Sequence, residues 1–360
     1  MLDFLGLLKA LMQFNPFLFI QIKFMKKAYQ IFIGIDVSKA KLDYCIVVDP
    51  CSDKHEYGII SNNEKGIGKL IRQLKKQFTG KANILFCLEN TGVYSLPVCY
   101  WLQKSGLDYS IVPALCVKRS AGISRGKTDK ADARKIAGYA ISHLHELKLS
   151  VLPEASLLEL RLLLSEREKL VKSLNVFGNT RENIGFIPRE VLKATLKNNR
   201  ITVSILQKQL KAIDLLIVKL VKSNEVLNNQ DELLQSIPGV GKQTSVVLIA
   251  YTHAFTAFKN HRKFACFAGV APFEYSSGSS VRGRTKVSQL ANKKIKTMLN
   301  IAALSARRFD PEMKLYYDRK ISEGKNKMSV LNVIRGKIIS RAFAVVTRNS
   351  KFVKTVNMAA

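Results

Sequence analysis

YQIFIGIDVSKAKLDYCIVVD, residues 29–49, contains two apolar, β-branched runs separated by a short polar turn. Runs of this kind predict β-strands, and KHEYGIIS over residues 54–61 predicts a third. Three strands followed by alternating β and α segments predict a mixed sheet with helices packed on it. The later helical segments cover 63–78, 94–106 and 127–144, and the later strands cover 83–89 and 108–113.

The charge balance predicts a polyanionic partner. The chain of 360 residues has 58 Lys and Arg against 27 Asp and Glu, a formal net charge of +31. An anionic membrane would instead call for a basic amphipathic helix or a lipid signal, and a basic structural protein is the third alternative. Because the charge is spread through sequence that has the pattern of a folded protein, we expect the partner to be a nucleic acid.

The N-terminal 28 residues are apolar but do not predict a membrane span. Asp3 and Lys9 lie inside this segment and Pro16 interrupts it, so no run of about 18 apolar residues forms. Lys26 and Lys27 follow Met25, a natural start codon. We therefore expect 1–28 to be a separate extension and hypothesise that 1–24 is non-native, which N-terminal sequencing of the natural product tests.

The cysteines predict a reducing environment. The chain has six, none of them in a CxxC pair, and most lie in apolar runs typical of buried free thiols. We expect a cytoplasmic protein without a membrane partner.

Residues 153–227 change to a long helical pattern with a break near GFIPRE. Two long helices with 3-4 spaced apolar seams are predicted there. An antiparallel hairpin, an intermolecular coiled coil and two core helices of one domain all satisfy these seams. The first seam contains Leu157, Leu160, Leu164, Val171 and Leu174, and the second contains Leu206, Leu210, Ile213, Ile217 and Leu220.

Four carboxylates stand out in this basic chain. Asp36 and Glu89 end predicted strands, and Asp129 and Asp132 lie on one face of a predicted helix. Each alone could cap a turn, pair with Lys or face solvent. Together they predict a site for a pair of Mg²⁺ (or Mn²⁺) ions, which prefer hard oxygen ligands and can polarise a phosphodiester.

SIPGVGKQTSVVLIA, residues 236–250, resembles a helix-hairpin-helix. Gly239 and Gly241 would let the backbone approach a phosphate, and Lys242 adds charge at the start of the following helix. A plain tight turn between two helices is the alternative.

FEYSSGSSVRG, residues 273–283, predicts a loop by its composition. A serine hydroxyl is a poor nucleophile without activation, and Glu274 is the sole nearby candidate base. Metal ions held elsewhere could supply the activation, and Arg282, Arg284 and Lys286 could hold a phosphate.

These motifs in this order resemble the DEDD transposases of bacterial insertion sequences, which include Piv-type DNA invertases and bridge-RNA-guided recombinases. The matching stretches are IGIDVSKAKLD, ENTG, KTDKADARKIA, SIPGVGKQTSVVL and FAGVAPFEYSSGSSVRGRTKVS. The chain departs from the family in residues 1–24 and in VSQLANKKIKTMLN, which is richer in Lys and Asn than the family pattern. GIDVSKAKLDYCIVV also resembles the first phosphate loop of sugar kinases and actin-like ATPases, but the second glycine-rich nucleotide loop that those proteins need is absent from the sequence.

The resemblance implies an α/β plus all-α protein in three parts. These are a RuvC-like (ribonuclease H-like) domain over 29–150, a helical coiled-coil spacer over 151–230 and a mostly helical transposase domain over 231–360.

The resemblance also implies a catalytic arrangement. The acidic tetrad is Asp36, Glu89, Asp129 and Asp132, and the nucleophile is Ser277, with Ser276 as the alternative. The family's dimers pair into a tetramer, and its members bind DNA and a structured guide RNA. The expected function is DNA recombination through a covalent serine–DNA intermediate. A RuvC-like nuclease that uses water and a noncatalytic nucleic-acid-binding protein are the alternatives.

Overall fold

The computed structural model describes residues 29–49, 55–78, 83–122, 128–178, 186–278 and 280–354. The extension predicted over 1–28 lies outside the described residues. The chain divides into two compact units, with the boundary between Leu152 and Pro153. The three-part division of the sequence stays a prediction.

The first unit is built on a five-stranded mixed sheet with strand order β3-β2-β1-β4-β5. β1 pairs antiparallel with β2 and parallel with β4, which confirms the mixed sheet predicted from the opening stretch. The strands are β1 (Ile31–Val37), β2 (Lys41–Val47), β3 (Glu56–Ser61), β4 (Ile84–Glu89) and β5 (Asp108–Val112). The helices are α1 (Glu64–Gln77), α2 (Leu96–Lys104), α3 (Ala114–Ser120) and α4 (Asp129–Ser142).

Helices cover both faces of this sheet, which explains why the central strands β1 and β4 are apolar along most of their length rather than alternating. On one face, Ile33 and Ile35 pack with apolar residues of α1 and α2. On the other face, Phe32, Cys45 and Cys87 pack with apolar residues of α3 and α4.

α4 lies unusually close to β1, because Gly34 has no side chain. A Cβ built on Gly34 would lie 2.3 Å from the carbonyl oxygen of Ala133 and 2.3 Å from the backbone nitrogen of Ala137. The glycine therefore fixes how near the start of α4 comes to the end of β1.

The second unit is mostly helical. It contains α5 (Ala155–Gly178), α6 (Arg189–Ser223), α7 (Glu225–Gln235), α8 (Lys242–Thr252), α9 (His261–Phe267), α10 (Lys293–Phe309), α11 (Pro311–Ser322) and α12 (Lys327–Arg348). One hydrophobic core contains the N-terminal half of α5, the C-terminal end of α6 and the helices that follow them. None of the helices in the described ranges combines the length and apolar character needed to cross a membrane.

α5 and α6 form an antiparallel hairpin within the chain. Asn224, just after α6, donates a hydrogen bond to Glu154 near the start of α5 at 3.2 Å. Arg167, midway along α5, donates to Asp214 of α6 at 2.7 Å. The predicted seams face inward, with Leu160 and Ile217 buried, so the seams are used inside one chain. Whether they also form a coiled coil stays a prediction.

The serine-rich stretch is a β-hairpin, so the prediction of a loop is wrong. β6 (Pro272–Ser277) pairs antiparallel with β7 (Val281–Val287). The turn is tight because Gly278 adopts φ +59°, a left-handed conformation that glycine tolerates. The residues of β6 are all exposed, so the hairpin lacks the apolar alternation that predicts strands from sequence.

Candidate active site

Asp36 and Glu89 lie side by side at the carboxyl ends of two parallel strands. Ile35 of β1 is in register with Leu88 of β4, and each carboxylate follows directly. Side chains alternate along a strand, so Asp36 shares a face with Gly34, and Glu89 shares a face with Cys87. This is the face that α4 covers.

The other two carboxylates of the predicted tetrad begin α4. Asp129 and Asp132 are in its first turn, where Thr128 caps the helix by accepting a hydrogen bond from the Ala131 backbone N–H at 3.2 Å. The positive end of the helix dipole favours carboxylates in this turn. The close contact of α4 with Gly34 brings the start of the helix to the carboxyl end of β1.

Electrostatics indicate that the other three carboxylates act on Asp36. Partial burial raises the pKa of Asp36 above its usual value, and repulsion from Asp129, Asp132, Glu89 and Asp43 raises it further. Asp36 is therefore the centre of an acidic cluster that a cation would stabilise.

A fifth carboxylate, Asp43, belongs to this cluster and the sequence did not predict it. Asp43 lies directly opposite Asp36 in the β1–β2 register, and its side chain is only 2% exposed. It accepts a hydrogen bond from the Tyr57 hydroxyl and pairs with Lys41, whose Nζ is 3.1 Å from Asp43 Oδ2. The polar Asp at the centre of an apolar strand was the signal that could have revealed it.

Lysines neutralise both carboxylates of α4. Lys41 Nζ lies 2.6 Å from Asp129 Oδ2, and Lys135 Nζ lies 3.0 Å from Asp132 Oδ1. In the described ranges, no three His, Cys, Asp or Glu side chains are arranged as a ready metal site. The donor set nevertheless fits Mg²⁺ or Mn²⁺, because it consists of carboxylate oxygens, and a divalent ion would relieve the repulsion that the others exert on Asp36.

Ser277 lies at the end of β6, in the second unit, and is exposed. It is opposite Val281, whereas Ser276 is opposite Arg282. Opposed residues in an antiparallel pair share a face, so Arg282 is on the face of Ser276 and not of Ser277. Among the residues that the structure describes, none forms a hydrogen bond with the Ser277 hydroxyl, including Glu274, the nearby candidate base.

An open groove of about 370 Å³ lies on the same hairpin. The ring of Tyr275 lies over Gly283, where an added Cβ would be 2.8 Å from Tyr275 Cδ1. Arg284 and Lys286 supply positive charge to the groove, and Glu274 supplies one negative charge.

The predicted phosphate-binding turn separates into two kinds of position. Gly241 and Lys242 are exposed at the start of α8, as a backbone contact to phosphate requires. Gly239 adopts φ +91°, and a Cβ there would lie 2.6 Å from the Ala302 carbonyl oxygen of α10. The turn conformation and the packing on α10 explain Gly239 without a ligand.

Two transposase family models match the chain. One, of the IS110 DEDD type, covers residues 33–182, and one described as the IS116/IS110/IS902 transposase family covers residues 231–318. Together they cover about two thirds of the chain.

Curated relatives are insertion-element and DNA-inverting proteins. The pilin gene-inverting protein of Moraxella bovis is 26% identical over 92% of this chain and 100% of its own length. An insertion element IS110 protein of Streptomyces coelicolor is 33% identical over 31% of this chain and 28% of its own length.

A solved structure of Thermus thermophilus RuvC with a Holliday junction substrate aligns with 34% of this chain and all of its own, at 12% identity and a TM-score of 0.26. The family models match both units, and the inverting protein aligns over nearly the whole length. The chain therefore belongs to the IS116/IS110/IS902 family of transposases, enzymes of DNA recombination.

Proposed function

We propose that this transposase cuts and rejoins DNA through a covalent link between Ser277 and DNA, with Asp36, Glu89, Asp129 and Asp132 holding Mg²⁺ or Mn²⁺. The observation that carries the proposal is the acidic cluster, in which Asp36 is repelled by the other three tetrad carboxylates and by Asp43. A cluster of this kind in a chain of net charge +31 favours a cation site over a structural role.

In this proposal, the carboxylates of the first unit bind the metal and set its position. The register of β1 with β4 holds Asp36 beside Glu89. The contact of α4 with Gly34 sets how far Asp129 and Asp132 lie from Asp36. When bound, the metal supplies Lewis-acid polarisation of the scissile phosphate and lowers the pKa of a coordinated hydroxyl.

Ser277 provides the nucleophile. Its hydroxyl oxygen attacks the phosphorus and loses its proton, a serine–phosphate bond forms, and the bond from phosphorus to the leaving sugar oxygen breaks. The leaving oxygen takes a proton and becomes a free hydroxyl. Because the phosphodiester energy is kept in the serine ester, the reverse attack by a hydroxyl of the other DNA rejoins the strands.

Ser277 needs an activator from outside its own hairpin. Exposure of β6, and the absence of a hydrogen bond to the Ser277 hydroxyl from the described residues, support a composite site, in which the tetrad of one subunit serves the serine of another. This arrangement is the one the family resemblance implies, together with dimers that pair into a tetramer.

Basic residues are the proposed contacts to DNA and to a structured guide RNA. The region 282–354 contains 19 Lys and Arg against 4 Asp and Glu. Lys286, Arg284 and Arg282 lie along exposed β7, and Lys242 is exposed at the start of α8. Such charge suits phosphate backbones of either nucleic acid.

A covalent-adduct assay tests the proposal. The full chain is incubated with labelled DNA carrying the junction of the insertion element, with Mg²⁺, and with or without RNA transcribed from the element. A protein–DNA adduct that survives denaturation is expected in the wild type and in Ser276→Ala. It should be absent in Ser277→Ala, in Asp36→Asn and after chelation of the metal.

Each other outcome identifies an alternative. Cleavage that persists in Ser277→Ala without an adduct indicates a nuclease that uses water. An adduct lost in Ser276→Ala instead makes Ser276 the nucleophile. DNA binding without cleavage under every condition indicates a noncatalytic binding protein. An RNA requirement appears as an adduct that forms only when the transcript is present.

A further inference from the structure

Lys41 joins the two elements that form the acidic cluster. Its Nζ lies 2.6 Å from Asp129 Oδ2 on α4 and 3.1 Å from Asp43 Oδ2 on its own strand β2. Lys135, by contrast, pairs with Asp132 three residues away on its own helix. Lys41 is thus an ammonium group that links the helix to the sheet inside the cluster.

The two partners of Lys41 differ in how firmly they are held. Asp43 is buried and also accepts a hydrogen bond from Tyr57, so it is a fixed anchor. Asp129 is 51% exposed, and an ion pair this exposed is weak. The ammonium can therefore release Asp129 while it stays on Asp43.

We propose that Lys41 is an internal counter-cation, a positioning residue that occupies Asp129 when no metal is bound and releases it when a divalent ion enters. This inference rests on the proposed metal role of the tetrad. Lys41 thereby weakens metal binding, because the ion must displace the ammonium and then remain near its positive charge.

The size of the effect follows from charge. Replacement of Lys41 by Gln keeps much of the side chain's reach, breaks the ion pair with Asp129 and removes the repulsion between ammonium and ion. Like-charge repulsion at a few ångströms in a partly exposed site corresponds to a change in affinity of about tenfold. We expect Lys41→Gln to bind Mn²⁺ about tenfold more tightly than the wild type.

Lys130→Gln is the matched control. Lys130 is the residue after Asp129, and its ammonium lies 5.4 Å from the centre of the Tyr57 ring. The substitution removes one positive charge from the same neighbourhood while the Lys41–Asp129 pair stays. A general change in potential would affect both variants, whereas displacement affects Lys41→Gln far more.

The experiment measures Mn²⁺ binding to the full chain without DNA, by titration calorimetry and by loss of the free-ion electron paramagnetic resonance signal. Lys41→Gln should show the tenfold gain, Lys130→Gln less than about a threefold gain, and Lys41→Arg, which keeps the charge, should stay close to the wild type. In chelator, Lys41→Gln should unfold at a lower denaturant concentration than the wild type, and added Mn²⁺ should abolish this difference.

Unchanged or weaker Mn²⁺ binding in Lys41→Gln overturns the inference and leaves the proposed function intact. A gain of equal size in Lys130→Gln also overturns it, because the effect is then general electrostatics. Mn²⁺ binding by the wild type that is absent, or is unaffected in Asp36→Asn, refutes the proposed metal role itself.

Discussion

Substitution of Gly34 by Ala tests the contact that positions α4 over the sheet. The added Cβ would lie 2.3 Å from backbone atoms of Ala133 and Ala137, whereas ordinary contacts begin at 3.4 Å. Relief of the clash requires α4 to move by about 1 Å, because backbone atoms cannot change rotamer. Overpacking of this kind costs about 1–3 kcal/mol, and we expect the upper end of that range.

The same movement should affect catalysis more than stability. It would carry Asp129 and Asp132 away from Asp36, and a misplacement of about 1 Å in an active site can reduce the rate about 100-fold. Urea unfolding measures the loss of stability. Adduct formation is measured without urea, at a temperature where the variant is folded, and gives the catalytic loss.

Gly138→Ala is the control on the same helix. A Cβ on Gly138 would have no atom within 4 Å, and Ala favours a helix interior by about 0.5–1 kcal/mol over Gly. Gly138→Ala should therefore be slightly stabilising and fully active. A Gly34→Ala variant with stability within about 0.5 kcal/mol of the wild type and unchanged adduct formation would refute the role of this contact.

Two further substitutions test the second unit. Gly239→Ala should lower the free energy of unfolding by about 2–3 kcal/mol, because φ is +91° and the Cβ would lie 2.6 Å from the Ala302 carbonyl oxygen. A Cβ on Gly241 would have no atom within 4 Å, so the control Gly241→Ala should change the free energy of unfolding by less than about 1 kcal/mol. Equal effects of the two substitutions in denaturant melts would contradict this packing. Burial, and then the charge of Arg161, lowers the pKa of His253 to about 4 from 6.5, so the unfolded chain binds more protons between these values and stability falls as pH drops through them. Between pH 7 and about pH 5 the free energy of unfolding should fall by about 2 kcal/mol in urea melts. His253→Asn, in which Asn suits the left-handed φ of +51°, should remove that part of the pH dependence. An unchanged pH dependence in this variant would assign the effect to other groups.

The strands, and the positions of the four predicted tetrad residues at strand ends and on a helix, were accessible from sequence because they follow from local patterns. Apolar runs predict strands, which puts Asp36 and Glu89 at strand ends, whereas the parallel pairing of β1 with β4 that sets them side by side comes from the structure. Helical spacing of three residues puts Asp129 and Asp132 on one face. Each inference needs only the period of a strand or a helix.

Features that depend on register or on close approach were not accessible. Asp43 joins the cluster because it is opposite Asp36, and a shift of one residue would turn it to the other face. Gly34 reads as an ordinary strand residue until the helix that touches it is known. The Ser277 hairpin has no buried side to give its strands a hydrophobic period, so composition alone predicted a loop.

The hairpin that carries Ser277 also presents a solubility problem. In the part of the chain that the structure describes, β6 and β7 pair only with each other, so each strand has a free edge that another chain could extend. Arg282, Arg284 and Lys286 give β7 a repulsive charge that discourages such self-association. These cations therefore act as gatekeepers against aggregation, whatever they bind. Variants that neutralise these cations should precipitate more readily. Light scattering should therefore be measured on any variant that loses cleavage, to identify loss caused by aggregation.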